Sequence, residues 1–267
     1  MGIVLSNIIA IYRRELQSYF VSPLAYAIVG IFWFLAGLFF VIILQDIIQY
    51  IAILETRNAQ LGVPVPPIDV PYTFLQAFLE RLEWLLLFIL PILSMGLYSE
   101  ERKRGTLELL ATSPITNWAV AVGKLLGVLT FFITMILPLL ILEAIVLSAA
   151  NPPMSAAIPL LGHLALILLA GAILSVGMFI SSLTDSTILS AVMSFAVIFL
   201  LLFVELIAKS IGGFFGEILG NLSLLKHYNT LIQGVFDTSS VIVFLSYIIL
   251  GIFLTAQSIN AFRFQRR

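Results

Sequence analysis

Leu24-Ala-Tyr-Ala-Ile-Val-Gly-Ile-Phe-Trp-Phe-Leu-Ala-Gly-Leu-Phe-Phe-Val-Ile-Ile-Leu44 runs for about 21 residues without a charge, and about 20 helical residues cross a hydrocarbon core of about 30 Å. Such a segment belongs in a membrane. Charge-free runs recur at Ile158 to Ile180, Ile188 to Val204 and Val241 to Ile259. Ala119 to Leu142 is interrupted only by Lys124, and Trp84 to Ser99 is shorter and carries Pro91. The composition agrees, with 61% hydrophobic and 10% charged residues and a mean hydropathy of +1.14, far more apolar than soluble domains. The expected fold is therefore all-α, a polytopic membrane protein of six transmembrane helices with both termini on one side. The first run exceeds the h-region of a signal peptide and no small-residue cleavage site ends it, so it is expected to stay. The absence of cysteine excludes disulfides and thiolate metal sites.

Orientation follows from the basic residues, which are enriched on cytoplasmic flanks. With the N-terminus inside, Arg13, Arg14, Arg102, Lys103, Arg104, Lys124, Arg263, Arg266 and Arg267 are cytoplasmic, and Arg57, Arg81, Lys209 and Lys226 lie outside: nine against four, accounting for all 13. Both termini are thus expected in the cytoplasm of a cell that keeps this chain in its inner membrane.

Ahead of the first span, Leu5, Ile8, Ile9, Tyr12, Leu16, Tyr19 and Phe20 form one stripe, with Arg13, Arg14, Gln17 and Ser18 opposite. Residues 1–22 therefore read as an amphipathic elbow helix in the membrane plane, broken where Ser22-Pro23 supplies a cap and a first-turn proline for the span. Residues 45–82 are expected as an outer loop whose middle, Gly62 to Pro71, is extended because of its prolines. A second outer loop, 210–240, holds Gly212, Gly216 and Gly220 at four-residue spacing and reads as one or two short helices or as an irregular Gly-rich loop. Residues 1–267 form one membrane domain.

Between the second and third spans lies Glu100-Glu-Arg-Lys-Arg-Gly-Thr-Leu-Glu-Leu-Leu-Ala-Thr-Ser-Pro-Ile115, which carries six charges. Thr106 can cap a short helix with Leu107, Leu110 and Ala111 on one face, and Ser113-Pro114 ends it and restarts the next. Charges of both signs suit an orientation-fixing contact with a soluble protein. The residues alone equally allow a solvated loop whose arginines obey the positive-inside rule.

The same segment resembles the signature of the type 2 class of ABC transporter permeases, in which an acidic pair, basic residues, Gly-Thr, a leucine-rich turn and Ser-Pro follow the second span. Tyr12-Arg-Arg-Glu-Leu16, with Tyr19-Phe20 and Ser22-Pro23, is similar to the elbow helix of that class. Within the class the chain looks most like the gliding-motility-associated permeases and the related permease of nitrous-oxide reductase maturation. The resemblance implies a cytoplasmic coupling helix in residues 100–115 that docks on a separate ATPase. The implied contacts are Glu100, Glu101, Arg102, Arg104, Gly105, Thr106, Leu107, Glu108, Leu110 and Ala111. It also implies two ATPase copies, a second permease subunit, identical or homologous, and ATP with Mg bound on the ATPase, with no cofactor on this chain.

The motifs agree that nucleotide chemistry lies elsewhere. The lone Gly123-Lys124 has Trp118 where a phosphate-binding loop needs its first glycine and Leu125 in place of the hydroxyl residue. No His-Glu-x-x-His or Gly-x-Ser-x-Gly pattern occurs, so no catalytic role is expected, and nothing suggests nucleic acid.

Glu143, His163, Glu205 and Lys209 are the polar exceptions near the spans. At about 1.5 Å per residue, Glu143 lies about 37 Å past Trp118 and Glu205 about 26 Å past Ile188, so all are expected near the outer boundary. Glu205 and Lys209 have helical-pair spacing. Two readings stand: interfacial snorkelling with one local ion pair, or the polar lining of an outward exit. Lys124 reads as a base snorkelling to the inner surface.

The resulting expectation is a permease subunit exporting an apolar or amphiphilic substrate between two subunits. The alternatives are a mechanotransmitter acting on an outer-face partner protein, and a membrane channel or structural protein without ATP coupling.

Overall fold

The computed structural model describes residues 2–61, 69–107, 115–150 and 154–264. These residues form helices and no strand: α1 (Gly2–Val21), α2 (Pro23–Leu61), α3 (Val70–Ser94), α4 (Gly96–Lys103), α5 (Asn117–Ser148), α6 (Ala157–Leu183), α7 (Thr187–Ile211), α8 (Gly213–Asn221), α9 (Leu224–Ile232) and α10 (Thr238–Phe264). Six helical segments among them are long and apolar enough to cross a membrane, with α3 and α4 counted as one.

The boundaries have local causes. Ser22 caps α2, its Oγ accepting from the Ala25 N–H at 3.4 Å, and Pro23 opens the helix, so the elbow break follows the dipeptide. Asp69 caps α3 by accepting from the Tyr72 N–H at 3.1 Å. Pro91 lies inside α3, and the rod turns at Met95 before resuming as α4. Ser181 of α6 fills that turn: its Oγ accepts from the Tyr98 and Ser99 N–H groups, each at 3.0 Å, and donates to the Met95 carbonyl at 2.7 Å. A methyl at Gly177, one turn earlier on α6, would collide with Ser94, so only glycine admits the bent rod this closely.

The core lies around α6, which touches α3, α4, α5, α7, α9 and α10. Small residues such as Ala165, Ala170, Ala172 and Ser175 are fully buried on it. In a bilayer, where helices gain little hydrophobic drive from one another, small faces allow the close van der Waals packing that holds them. Helix α2 stands at the edge, meeting α3 through Phe40, whose ring is 4.8 Å from Phe74 and 5.6 Å from Phe78.

One expectation needs correction. The outer loop assigned to 45–82 is helix wherever described except at the cap Asp69: α2 continues to Leu61 and α3 begins at Val70, while 62–68 lie outside the described residues. Residues 45–61 contain neither Gly nor Pro and repeat Ile and Leu at helical spacing, so their charges mark departure from an apolar run, not the end of a helix. The elbow helix forms as α1, ahead of the first span. It packs along α5, where Gly123 and Gly127 leave room: a methyl at Gly123 would come within 2.9 Å of Ile11, and one at Gly127 within 2.8 Å of Glu15. Tyr19 stacks on Phe131 at 5.0 Å. Residues 210–240 do hold two short helices, α8 and α9, with Gly212 and Gly213 at φ +63° and +59° between α7 and α8.

Candidate functional site

The charged segment begins as the last turns of the second spanning rod. Gly105, at φ +71°, turns the chain there, the left-handed conformation that glycine adopts cheaply after a helix. Thr106 Oγ1 donates back to the Glu101 carbonyl at 3.2 Å. Arg102 donates to the Ser182 carbonyl at 2.9 Å, which lies in the last turn of α6, where the helix dipole favours a cation. The exposed Arg104 and Glu100 form an i,i+4 pair at 3.3 Å.

Lys124 organises this end. Far from snorkelling, its side chain is only 4% exposed and sits between two carboxylates, with Nζ 3.0 Å from Glu15 of α1 and 3.1 Å from Glu101 of α4. It also lies 5.1 Å from the centroid of the Tyr98 ring. The extra negative charge of the trio faces Arg14, 4.0 Å from Glu101. Three helices distant in sequence thus share one buried cation, and removing a member of such a group leaves an uncompensated charge. Beside it, burial and then the Glu15 and Glu100 carboxylates push the Tyr19 phenol well above its ordinary value. Tyr19 therefore stays a hydroxyl and donates to the Leu93 carbonyl at 2.7 Å, holding the elbow against α3.

Of the ten expected partner contacts, Glu100, Arg104 and Gly105 are exposed. Glu101, Arg102 and Thr106 are half-buried and engaged within the chain. Leu107 corrects the expectation of an outward anchor: it is 2% exposed and belongs to the chain's own core. An apolar stripe says that a face is covered, not by which molecule. Glu108, Leu110 and Ala111 lie outside the described residues.

The four polar residues toward the other end form two pairs. His163 Nδ1 lies 3.7 Å from Glu143 and 3.1 Å from the Pro159 carbonyl, to which it donates when it carries the proton. Both residues are buried, so snorkelling is wrong for this pair: counting residues gives depth along a helix but not the direction of a side chain. Neither Glu143 oxygen, nor His163 Nε2, has a hydrogen-bond partner among the described residues. Glu205 and Lys209 form the expected local ion pair at 2.7 Å, with Lys209 exposed.

Sequence reasoning missed Glu15, the partner of Lys124. A lone lysine beside a Gly123/Gly127 face was the available signal, since a base buried under a close-packed helix needs an acid on that helix. It also missed Glu83, which it assigned no role, and the join of α8, α9 and α10. In that join His227 lies 2.9 Å from both the Asn221 carbonyl and Ser240 Oγ, and Ser240 Oγ donates to Asp237 at 2.7 Å.

Six membrane-length helices among the described residues, with an elbow helix and a charged segment locked to it, define a polytopic membrane protein. The sequence pattern of the ABC-2 family of transporter proteins matches residues 9–267, and the chain belongs to that family. It is a permease subunit of an ABC transporter. No curated protein matches the chain.

Proposed function

We propose that this permease couples ATP hydrolysis on two cytoplasmic ABC ATPase subunits to export of an apolar or amphiphilic substrate, working in the inner membrane as a pair with a second permease subunit. ATP and Mg reside on the ATPases, catalysis is theirs, and this chain carries no cofactor. The termini and residues 100–115 face the cytoplasm. The observation that carries the reading is the Lys124 lock. A push on the exposed Glu100, Arg104 and Gly105 reaches α1 and α5 together because Glu15 and Glu101 hold one buried ammonium between them.

The test is co-purification with the ATPase and membrane-stimulated ATP hydrolysis after charge reversal at Glu100 and Arg104. Both should fall, more so at low salt, because rim charges act through screened attraction. Unchanged binding and stimulation would remove this surface from the contact. Cysteines introduced at Arg104 and Asp69 of this cysteine-free chain test the topology, since only the second should react with an impermeant thiol reagent in intact cells.

A second reading, force transmission to an outer-face protein, is favoured by the far end of α2, where Ile48, Tyr50 and Ile53 are exposed.

A further inference from the structure

Extending α3 back to Val70 carries Glu80 out of a supposed loop and places it with Glu83 on the wall of the bundle. Between this part of α3 and α9 lies a cleft of about 380 Å³, lined by Glu80, Glu83 and Trp84 on one side and by Leu225, Asn229 and Gln233 on the other. Glu80 and Trp84 are exposed, whereas Glu83 is only 4% exposed. Among the described residues no hydrogen bond or ion pair reaches the Glu83 carboxyl. Its oxygens are not sealed as those of Glu143 are; they remain open to the cleft. The two walls are tied to each other, because Tyr228 of α9 donates to the Leu79 carbonyl of α3 at 2.9 Å. Burial and then the Glu83, Glu143 and Glu80 carboxylates push its phenol well above the ordinary value, so Tyr228 supplies no competing charge.

A buried acid without a partner is costly as a carboxylate, so it either keeps its proton or is completed by something cationic, and an opening to a cleft admits the second. The walls say what kind of cation fits. Two carboxyls one helical turn apart attract positive charge, and Asn229 and Gln233 offer amide oxygens to N–H donors. The Trp84 indole and Leu225 suit an apolar body beside that charge. A small hard metal ion would want an oxygen cage, and no group of three His, Cys, Asp or Glu residues placed to hold a metal occurs among the described residues. We infer that this cleft binds a primary ammonium group carried on an apolar body, whether a free amine or the head of an aminophospholipid, with Glu83 as its counter-ion. The site lies about 26 Å along the rod from Glu100, and its occupancy can be measured without an ATPase.

The experiment uses the full chain in phosphatidylcholine nanodiscs, with Trp33→Phe and Trp118→Phe leaving Trp84 as the fluorescent reporter. Phenethylammonium should bind saturably, and its isosteric neutral counterpart, phenethyl alcohol, should not. Glu83→Gln should weaken binding about 10-fold or more, as expected for loss of a charge-assisted contact, and Glu80→Gln less. Asn229→Leu, on the opposite wall, should weaken it too and keeps the test decisive if Glu83→Gln does not fold. Competition by added phosphatidylethanolamine would identify a lipid head as the occupant, and its absence a free amine. Equal binding of the alcohol, unchanged affinity in Glu83→Gln, no saturable binding, or occupancy by Mg²⁺ or Ca²⁺ in place of the amine would each overturn the assignment.

Discussion

The two ends of the bundle bury carboxylates in opposite ways. Around Lys124, two acids from different helices hold one ammonium at 3.0 and 3.1 Å, so electrostatics fastens α1, α4 and α5 together. Around Glu143, the carboxyl faces a histidine at 3.7 Å and makes no hydrogen bond among the described residues, so packing alone closes that region. Charge acts as a fastener at one end and is merely enclosed at the other. The same substitution chemistry should therefore give different results at the two ends.

The largest effect is expected from Lys124→Met, which leaves the half-buried Glu15 and Glu101 facing each other without their cation. Unfolding of the detergent-purified protein should show a loss of about 3–5 kcal/mol. A triple variant with Glu15→Gln and Glu101→Gln should recover much of it, and a single variant as stable as the parent would break the comparison at its strong end. Next comes Gly127→Val, which drives Glu15 and Leu16 off α5 and should cost about 1–3 kcal/mol. Proteolysis near the elbow reports whether α1 has lifted. Glu143→Gln should change stability by no more than about 1 kcal/mol, because no hydrogen bond is lost and the amide keeps the carboxyl's size and shape. A loss as large as that of Lys124→Met would show the two ends to be alike. The smallest effect belongs to Glu205→Gln, a few tenths of a kcal/mol for an exposed helical pair, with export intact. Loss of export in a stable, assembled variant would revive the exit-lining reading.

Much of the fold was legible because its causes are local. Ser22-Pro23 marks the elbow break, five charge-free runs and one interrupted only by Lys124 mark six crossings, and the glycines after Ile211 mark the breaks around α8. What escaped was the part that no linear string carries. The charges from Asp46 to Arg57 announce an end to hydrocarbon, and the helix ignores them because nothing there stops a backbone from hydrogen bonding to itself. The charged segment was found, but its inner wiring was not. Lys124 could be placed in depth and not in direction, and Glu15 becomes its partner only once α1 lies on Gly123 and Gly127. Leu107 shows the converse, an apolar side chain correctly read as covered and assigned to the wrong neighbour.

The length of α2 makes it a lever arm. From Phe40, in ring contact with Phe74, α2 runs on to Leu61, about 31 Å, whereas α3 starts only about 6 Å before Phe74. Its tip therefore outreaches its neighbour by about 25 Å. A rigid arm multiplies small rotations: a tilt of about 5° at Phe40 sweeps Leu61 through about 3 Å, the scale of one residue's rise along an extended chain. Rocking too slight to open a passage through the bundle would still be a full step for whatever holds the end of this helix.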